Sequence, residues 1–160
     1  MANIEPYRYE PEEILRMPKA GGGVERCYVI SGFADFTFDD DEDTAAPIQW
    51  EGPEGSRIND DIWVSHNLHL IVGPEFLQVL DVSPTAAVAG FSFRDSDETD
   101  STGIELENCR WDTVGVGEPN PNAERIRLKI QLRMCGGRRS KVTKISYHLV
   151  AVVSEPSAVG

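Results

Sequence analysis

The sequence predicts an all-β fold, a β-sandwich of jelly-roll-like or Ig-like type with about 7–8 strands. Three observations support this prediction. Helical periodicity is scarce along the chain. Several apolar runs alternate with polar residues, which is the pattern of a strand with one buried face. Gly, Pro and Asp, including 14 Gly and 10 Pro in all, cluster between these runs as turns do.

Residues 1–23 are predicted to form an extended arm. We expect one helical turn at most, over residues 12–17, before Pro18 ends it. The three glycines at 21–23 mark a flexible joint. A chain of 160 residues fits one folded unit. The predicted organisation is therefore an arm at 1–23, a single sandwich domain at 24–154 and a short tail at 155–160.

The strands of the predicted domain follow one another between polar turns. In order, they are expected at residues 24–38, 62–72, 76–82, 86–94 and 104–116. Gly32 interrupts the first of them and predicts a bulge. The apolar phase of the last one shifts after Leu106, which predicts a second bulge.

The last two strands have the strictest alternation. Apolar side chains at every second position from Ile126 to Met134 alternate with Arg, Lys and Gln. A second alternating run covers residues 142–153. The intervening residues 135–140 include Gly136 and Gly137, which suit a turn. These features predict a long C-terminal hairpin whose first strand has one wet, cationic face.

Charge is distributed unevenly along a chain whose net charge is −12. Residues 1–123 carry a net −18, whereas residues 124–160 carry a net +6. A cationic strand and two acidic loops, at 39–43 and 95–100, predict contact between copies of the chain. The expected interface residues are Arg125, Arg127, Lys129, Arg133, Arg138 and Arg139 of the hairpin, with Tyr7, Tyr9 and Leu15 of the arm. The plainer alternative is a solvated sheet face whose lysines and arginines discourage edge pairing.

No local motif of an enzyme accompanies this pattern. The chain has no G-x-S-x-G elbow, no P-loop and no G-x-G-x-x-G sequence. Its acidity disfavours nucleic acid and anionic membranes as partners. The N-terminus has no secretory signal pattern, so we expect cytoplasmic synthesis. The preferred function is a non-enzymatic, self-associating structural protein, such as a subunit of a virion, tail, shell or filament.

The alternative function is a carbohydrate-binding or other ligand-binding module. Trp63, Asn67 and His69 share the polar face of one strand and form a candidate ligand patch, unless that face packs against the second sheet or a neighbour. A calcium-dependent version would use Asp95, Asp97 and Asp100, which begin like an EF-hand loop. Asp100 stands where that loop requires glycine, and a solvated acidic loop is the simpler interpretation. No other cofactor is expected.

Overall fold

The computed structural model describes residues 3–8, 11–37, 64–92, 103–135 and 141–155. These residues form eight strands and no helix, which confirms the all-β prediction. The strands are β1 Asn3–Arg8, β2 Glu12–Pro18, β3 Val24–Thr37, β4 Val64–Phe76, β5 Gln78–Ser92, β6 Gly103–Gly115, β7 Glu124–Cys135 and β8 Lys141–Glu155. Within this part of the chain, no helix is long and apolar enough to cross a membrane.

The strands form two antiparallel sheets. Sheet A has the order β1-β3-β8-β5, with β2 also paired to β3, and sheet B has the order β4-β7-β6. The chain passes from one sheet to the other between β3 and β4, β4 and β5, β5 and β6, and β7 and β8. Strands that are neighbours in the sequence are therefore often on opposite sheets.

The predicted C-terminal hairpin is wrong. Strand β7 lies in the middle of sheet B, between β4 and β6, and β8 lies in sheet A, between β3 and β5. Both strands have one buried face because they face the same core from opposite sides. A local alternation of apolar and polar residues is identical for this arrangement and for a hairpin, so the pattern does not distinguish them.

One hydrophobic core joins the two sheets. The alternating apolar residues of both terminal strands point into it, as predicted, and Leu128 and Leu149 are 0% exposed. Strands β3, β4 and β5 complete this core. Its buried members are Ile30, Ala34, Leu68, Leu70, Val72, Phe76, Val82, Ile126, Leu128, Ile130, Leu132, Val142, Ile145, Tyr147, Leu149, Ala151 and Val153.

The N-terminal segment pairs with its own chain. Both β1 and β2 run antiparallel to β3, with Tyr7 opposite Phe33 and Leu15 opposite Cys27. The expected helical turn at residues 12–17 is wrong, because those residues belong to β2. The segment is extended, but in the described residues it follows the edge of sheet A. The division at residues 23 and 154 stays a prediction.

Three expectations about strand regularity have different outcomes. The register shift between Leu106 and Asn108 confirms the bulge predicted in β6. Gly32 is buried in a ladder that pairs β3 with β8 without a shift, so the bulge predicted there is wrong. Residues 78–92 form one strand, not two, and this strand passes through Pro84. An edge strand tolerates proline because one side of it has no ladder to complete.

Candidate functional site: the outer face of sheet B

The four cationic residues of β7 all point away from the core. We call Arg125, Arg127, Lys129 and Arg133 the basic stripe. Strand β7 is the central strand of sheet B, so side chains from β4 and β6 flank the stripe. The outward-facing residues form four rows across β4, β7 and β6: Ser65, Arg133 and Glu105; Asn67, Gln131 and Asn108; His69, Lys129 and Arg110; and Ile71, Arg127 and Asp112.

Asp112 neutralises part of the basic stripe. Arg127 donates through Nε to Asp112 Oδ1 at 2.7 Å and through Nη2 to Oδ2 at 2.5 Å. Lys129 Nζ lies 2.7 Å from the same Oδ2. The hydrogen bonds from Arg127 and then Lys129 hold the pKa of the Asp112 carboxyl well below its usual range. Both cations are therefore bound within their own sheet.

The two ends of the stripe are also engaged. Arg133 donates through Nε to Glu105 Oε2 at 2.7 Å, and its Nε lies 3.7 Å from Glu107 Oε1. Arg125 donates through Nη2 to the carbonyl oxygen of Gly73 at 2.8 Å. The bulge in β6 adds Glu107 opposite the same part of β7, so two carboxylates reach one guanidinium.

These contacts bear on the predicted docking surface, in which the stripe would pair with acidic loops of another copy. Among the residues that the structure describes, the acidic partners of the stripe are carboxylates of β6 in the same chain. Sequence reasoning missed Asp112, Glu105 and Glu107 as partners. Their strand was recognised, but the register that places them beside the arginines depends on long-range pairing. The role of the stripe in an interface stays a prediction.

Two residues of the predicted ligand patch lie on this same face. Asn67 and His69 are exposed on β4, beside Gln131 and Lys129 of β7. Leu15 is half exposed on β2, in the other sheet, so the structure does not bring it to the stripe. The remaining predicted site residues lie outside the described residues: Tyr9, Trp63, Arg138, Arg139, Asp95, Asp97 and Asp100.

Six neutral or cationic side chains occupy the middle two rows of the face. We call Asn67, Gln131, Asn108, His69, Lys129 and Arg110 the polar patch. Asn108 Nδ2 donates to Gln131 Oε1 at 2.8 Å, which fixes these two amides relative to one another. The patch contains no carboxylate, although the rows on either side of it do.

Metal-binding side chains and cysteine thiols are the other candidate functional groups in the part of the chain that the structure describes. No group of three or more His, Cys, Asp or Glu side chains is placed there to hold a metal ion. Cys27 and Cys109 are free thiols. Burial raises the pKa of the Cys109 thiol, which keeps it protonated and weakly nucleophilic.

An open groove of about 510 Å³ lies at one end of the molecule. Leu77 and Gln78, Asn122 and the glycines of the β2–β3 turn line it. Lys19 on its wall is already engaged, because its Nζ lies 3.1 Å from both Glu25 Oε1 and Ser154 Oγ. The groove is lined by none of the residues of the polar patch.

Comparisons of the chain with protein-family models, with curated proteins and with solved structures found no match.

Proposed function

We propose that this chain is a non-enzymatic structural protein that assembles with copies of itself through the outer face of sheet A. The observation that carries the proposal is the absence of charge in the middle of the two central strands of that face. The outward-facing residues there form what we call the charge-free face: Cys27, Val29, Ser31 and Phe33 of β3, and Ser146, His148, Val150 and Val152 of β8.

Charge returns only at the boundaries of this face. Glu25 lies beyond one end, and Lys144 lies at the other, with Nζ 4.4 Å from the centre of the Phe33 ring. Glu12 and Asp81 lie on the flanking strands β2 and β5. A rim of charge around an uncharged centre is the usual composition of a protein interface.

A second copy is the occupant that best fits this face. Two molecules that each carry a net charge of −12 repel one another, so a contact between copies costs least where the meeting surfaces add no further like-charge repulsion. Two sheet faces pack at about 10 Å through small and apolar side chains such as those of the charge-free face. A two-fold axis would make this contact self-complementary.

The edges of sheet A favour contact through a face over contact through a strand. Strand β5 contains Pro84 and has register shifts at three places in its pairing with β8. Strand β2 ends at Pro18 and has a shift between Glu13 and Leu15. Prolines and bulges on edge strands prevent the addition of another strand.

The strand order supports a jelly-roll sandwich over the Ig-like alternative. The last strand, β8, lies inside sheet A, between β3 and β5, and β7 lies inside sheet B. In an immunoglobulin sandwich the last strand is at a sheet edge. Jelly rolls occur in capsid proteins and in lectins. A particle subunit therefore suits this topology, by analogy of fold.

Light scattering after size-exclusion chromatography tests the assembly. We expect the native chain to self-associate at low salt and at least as strongly at high salt, because salt screens the repulsion between the acidic copies and has little effect on an apolar contact. His148→Lys and Val150→Lys place a charge in the middle of the charge-free face, and both are expected to yield monomers. Ile71→Lys is the matched control, because Ile71 is 42% exposed on the outer face of sheet B.

Circular dichroism establishes that each variant is folded. A native chain that stays monomeric at all concentrations and salt levels contradicts the proposal. Association that disappears at high salt and in Arg127→Gln, but persists in His148→Lys, would assign the interface to the basic stripe instead.

A further inference from the structure

We propose that the polar patch on the outer face of sheet B is a binding site for an anionic saccharide, one that carries sulfate or carboxylate groups. This site lies on the sheet opposite the charge-free face. It is therefore independent of the proposed assembly, and either proposal can fail without the other.

Half of the side chains in the polar patch have no described hydrogen-bond or ion-pair partner. Among the residues that the structure describes, the side chains of Asn67, His69 and Arg110 form no hydrogen bond or ion pair. All three are exposed. By contrast, the rows on both sides contain the paired side chains of Arg127 and Arg133. The two middle rows thus contain three side chains without a described partner, Asn67, His69 and Arg110, beside the paired side chains of Lys129, Asn108 and Gln131.

The spacing of side chains in the two rows of the polar patch determines the size of ligand that fits it. Neighbouring side chains within a row start from Cβ atoms about 5 Å apart, and residues two positions apart on a strand are separated by about 7 Å. The six side chains therefore form a grid about 10 Å long and about 7 Å wide. This area matches one or two sugar rings laid flat on the sheet.

The two rows differ in the hydrogen-bond donors and acceptors that they offer to a ligand. Lysine and arginine only donate hydrogen bonds, so Lys129 and Arg110 suit an anionic group on the ligand. The amides of Asn67, Gln131 and Asn108 both donate and accept, which suits hydroxyl groups. A row for charged groups beside a row for hydroxyls is the arrangement that an acidic sugar requires.

The charge around the polar patch is positive. Arg110, Arg127 and Lys129 surround a single carboxylate, Asp112, which leaves two positive charges in excess. The chain as a whole carries −12. The net charge of the chain therefore does not attract a polyanion, so we expect binding to depend on local positive charge such as that of the patch.

Three polysaccharides test the proposal on the intact chain. Dextran sulfate carries sulfate, polygalacturonate carries carboxylate, and dextran is neutral. Biolayer interferometry on each is expected to detect binding of one or both polyanions, weakening as salt rises, and none of dextran. Binding of only one polyanion identifies the acidic group that the site takes.

The variants Arg110→Gln and His69→Gln locate the site. Both residues are exposed, so these changes preserve the fold. Loss of one charge-assisted hydrogen bond is expected to weaken polyanion binding about tenfold in Arg110→Gln. Two controls are expected to bind as the native chain does: Arg16→Gln, an exposed arginine of β2 paired with Glu13, and Gln78→Ala in the end groove.

Each contrary outcome is decisive. The proposal is overturned if neither polyanion binds, if dextran binds equally, or if Arg16→Gln weakens binding as much as Arg110→Gln does. Binding of poly-glutamate with an affinity equal to that of the polysaccharides would overturn the saccharide assignment, because it would show that the patch recognises an acidic peptide.

Discussion

The outer faces of the two sheets differ sharply, although the sheets share one core. The central strand of sheet B has arginine or lysine at four outward-facing positions, and carboxylates of β6 pair with three of these residues. The eight residues of the charge-free face, in the middle of the two central strands of sheet A, include no acidic or basic side chain other than His148. One face carries paired charges along its central strand, and the other carries uncharged side chains.

This difference shows that the inner and outer faces of a strand carry separate information. The inner residues of β7 and β8 are alike, with isoleucine, leucine and valine at 0–1% exposure. They determine that the two sheets pack together. The outer residues contribute little to that packing, so they are free to specialise. The functional contrast is therefore expected to survive changes that leave the outer side chains alone.

The largest expected effect comes from breaking the shared core. Leu128→Ala and Leu149→Ala each remove a fully buried side chain, one behind each outer face. Each is expected to lower the free energy of unfolding by about 2–5 kcal/mol, because a cavity adds to the lost burial. Urea unfolding followed by circular dichroism and by tryptophan fluorescence measures this.

Both leucine variants are expected to shift one cooperative transition, reported identically by the two probes. Leu77→Ala is the control, because Leu77 is 50% exposed and its loss is expected to change stability by less than about 0.5 kcal/mol. Two separate transitions would show that the sheets unfold independently, and the comparison would then be between two units instead of two faces.

The sequence was sufficient to predict which faces are buried. A strand has a strict period of two, so alternation over residues 126–134 and 145–153 identified the inner residues directly. The same logic located the bulge in β6, because an extra residue shifts the phase of the alternation after Leu106. Both features depend on residues that are close together in the sequence, so the sequence pattern predicts them.

Strand partners could not be predicted in the same way. The hairpin between β7 and β8 was expected from two adjacent alternating runs, but the two strands belong to opposite sheets. The partners of the basic stripe on β6 depend on the register of β6 against β7, which no local pattern specifies. Exposed cations therefore seemed available in the sequence, whereas the fold places carboxylates beside them.

The next largest effect on stability is expected at the edge strands β5 of sheet A and β6 of sheet B. Gly90 lies on β5, where a Cβ atom would be 2.6 Å from Thr143 Oγ1 and 3.2 Å from the backbone nitrogen of Lys144. Gly90→Ala is expected to destabilise sheet A by about 1–3 kcal/mol, because the ladder must shift to admit a methyl group. Thermal unfolding of the folded variant measures the loss.

Gly115→Ala on β6 is the matched control in sheet B. A Cβ atom there meets nothing within 4 Å, so this variant is expected to be neutral or slightly stabilising. Equal losses in the two variants would show that the close approach of β5 to β8 does not determine the effect of Gly90→Ala, because Gly115 has no such neighbour.

The smallest effect is electrostatic and belongs to sheet B alone. Asp112→Asn removes the carboxylate that Arg127 and Lys129 share and leaves two like charges side by side. The residues are partly exposed, so the melting temperature is expected to fall by only a few degrees at low salt. The loss is expected to shrink in high salt. Asn108→Ala, which removes a neutral hydrogen bond to Gln131, should show no such salt dependence.

The effect of Asp112→Asn also has a defined sign with pH. The pKa of Asp112 is lower in the folded chain than the value of about 3.9 for an unfolded aspartate. Its carboxylate therefore stabilises the fold fully above about pH 5, and this contribution declines as the pH falls below that range towards the folded pKa. Urea unfolding over a pH series should show the native chain losing its advantage over Asp112→Asn in acid. An advantage that grew in acid would mean that the ion pairs of sheet B do not hold this carboxylate in its charged form.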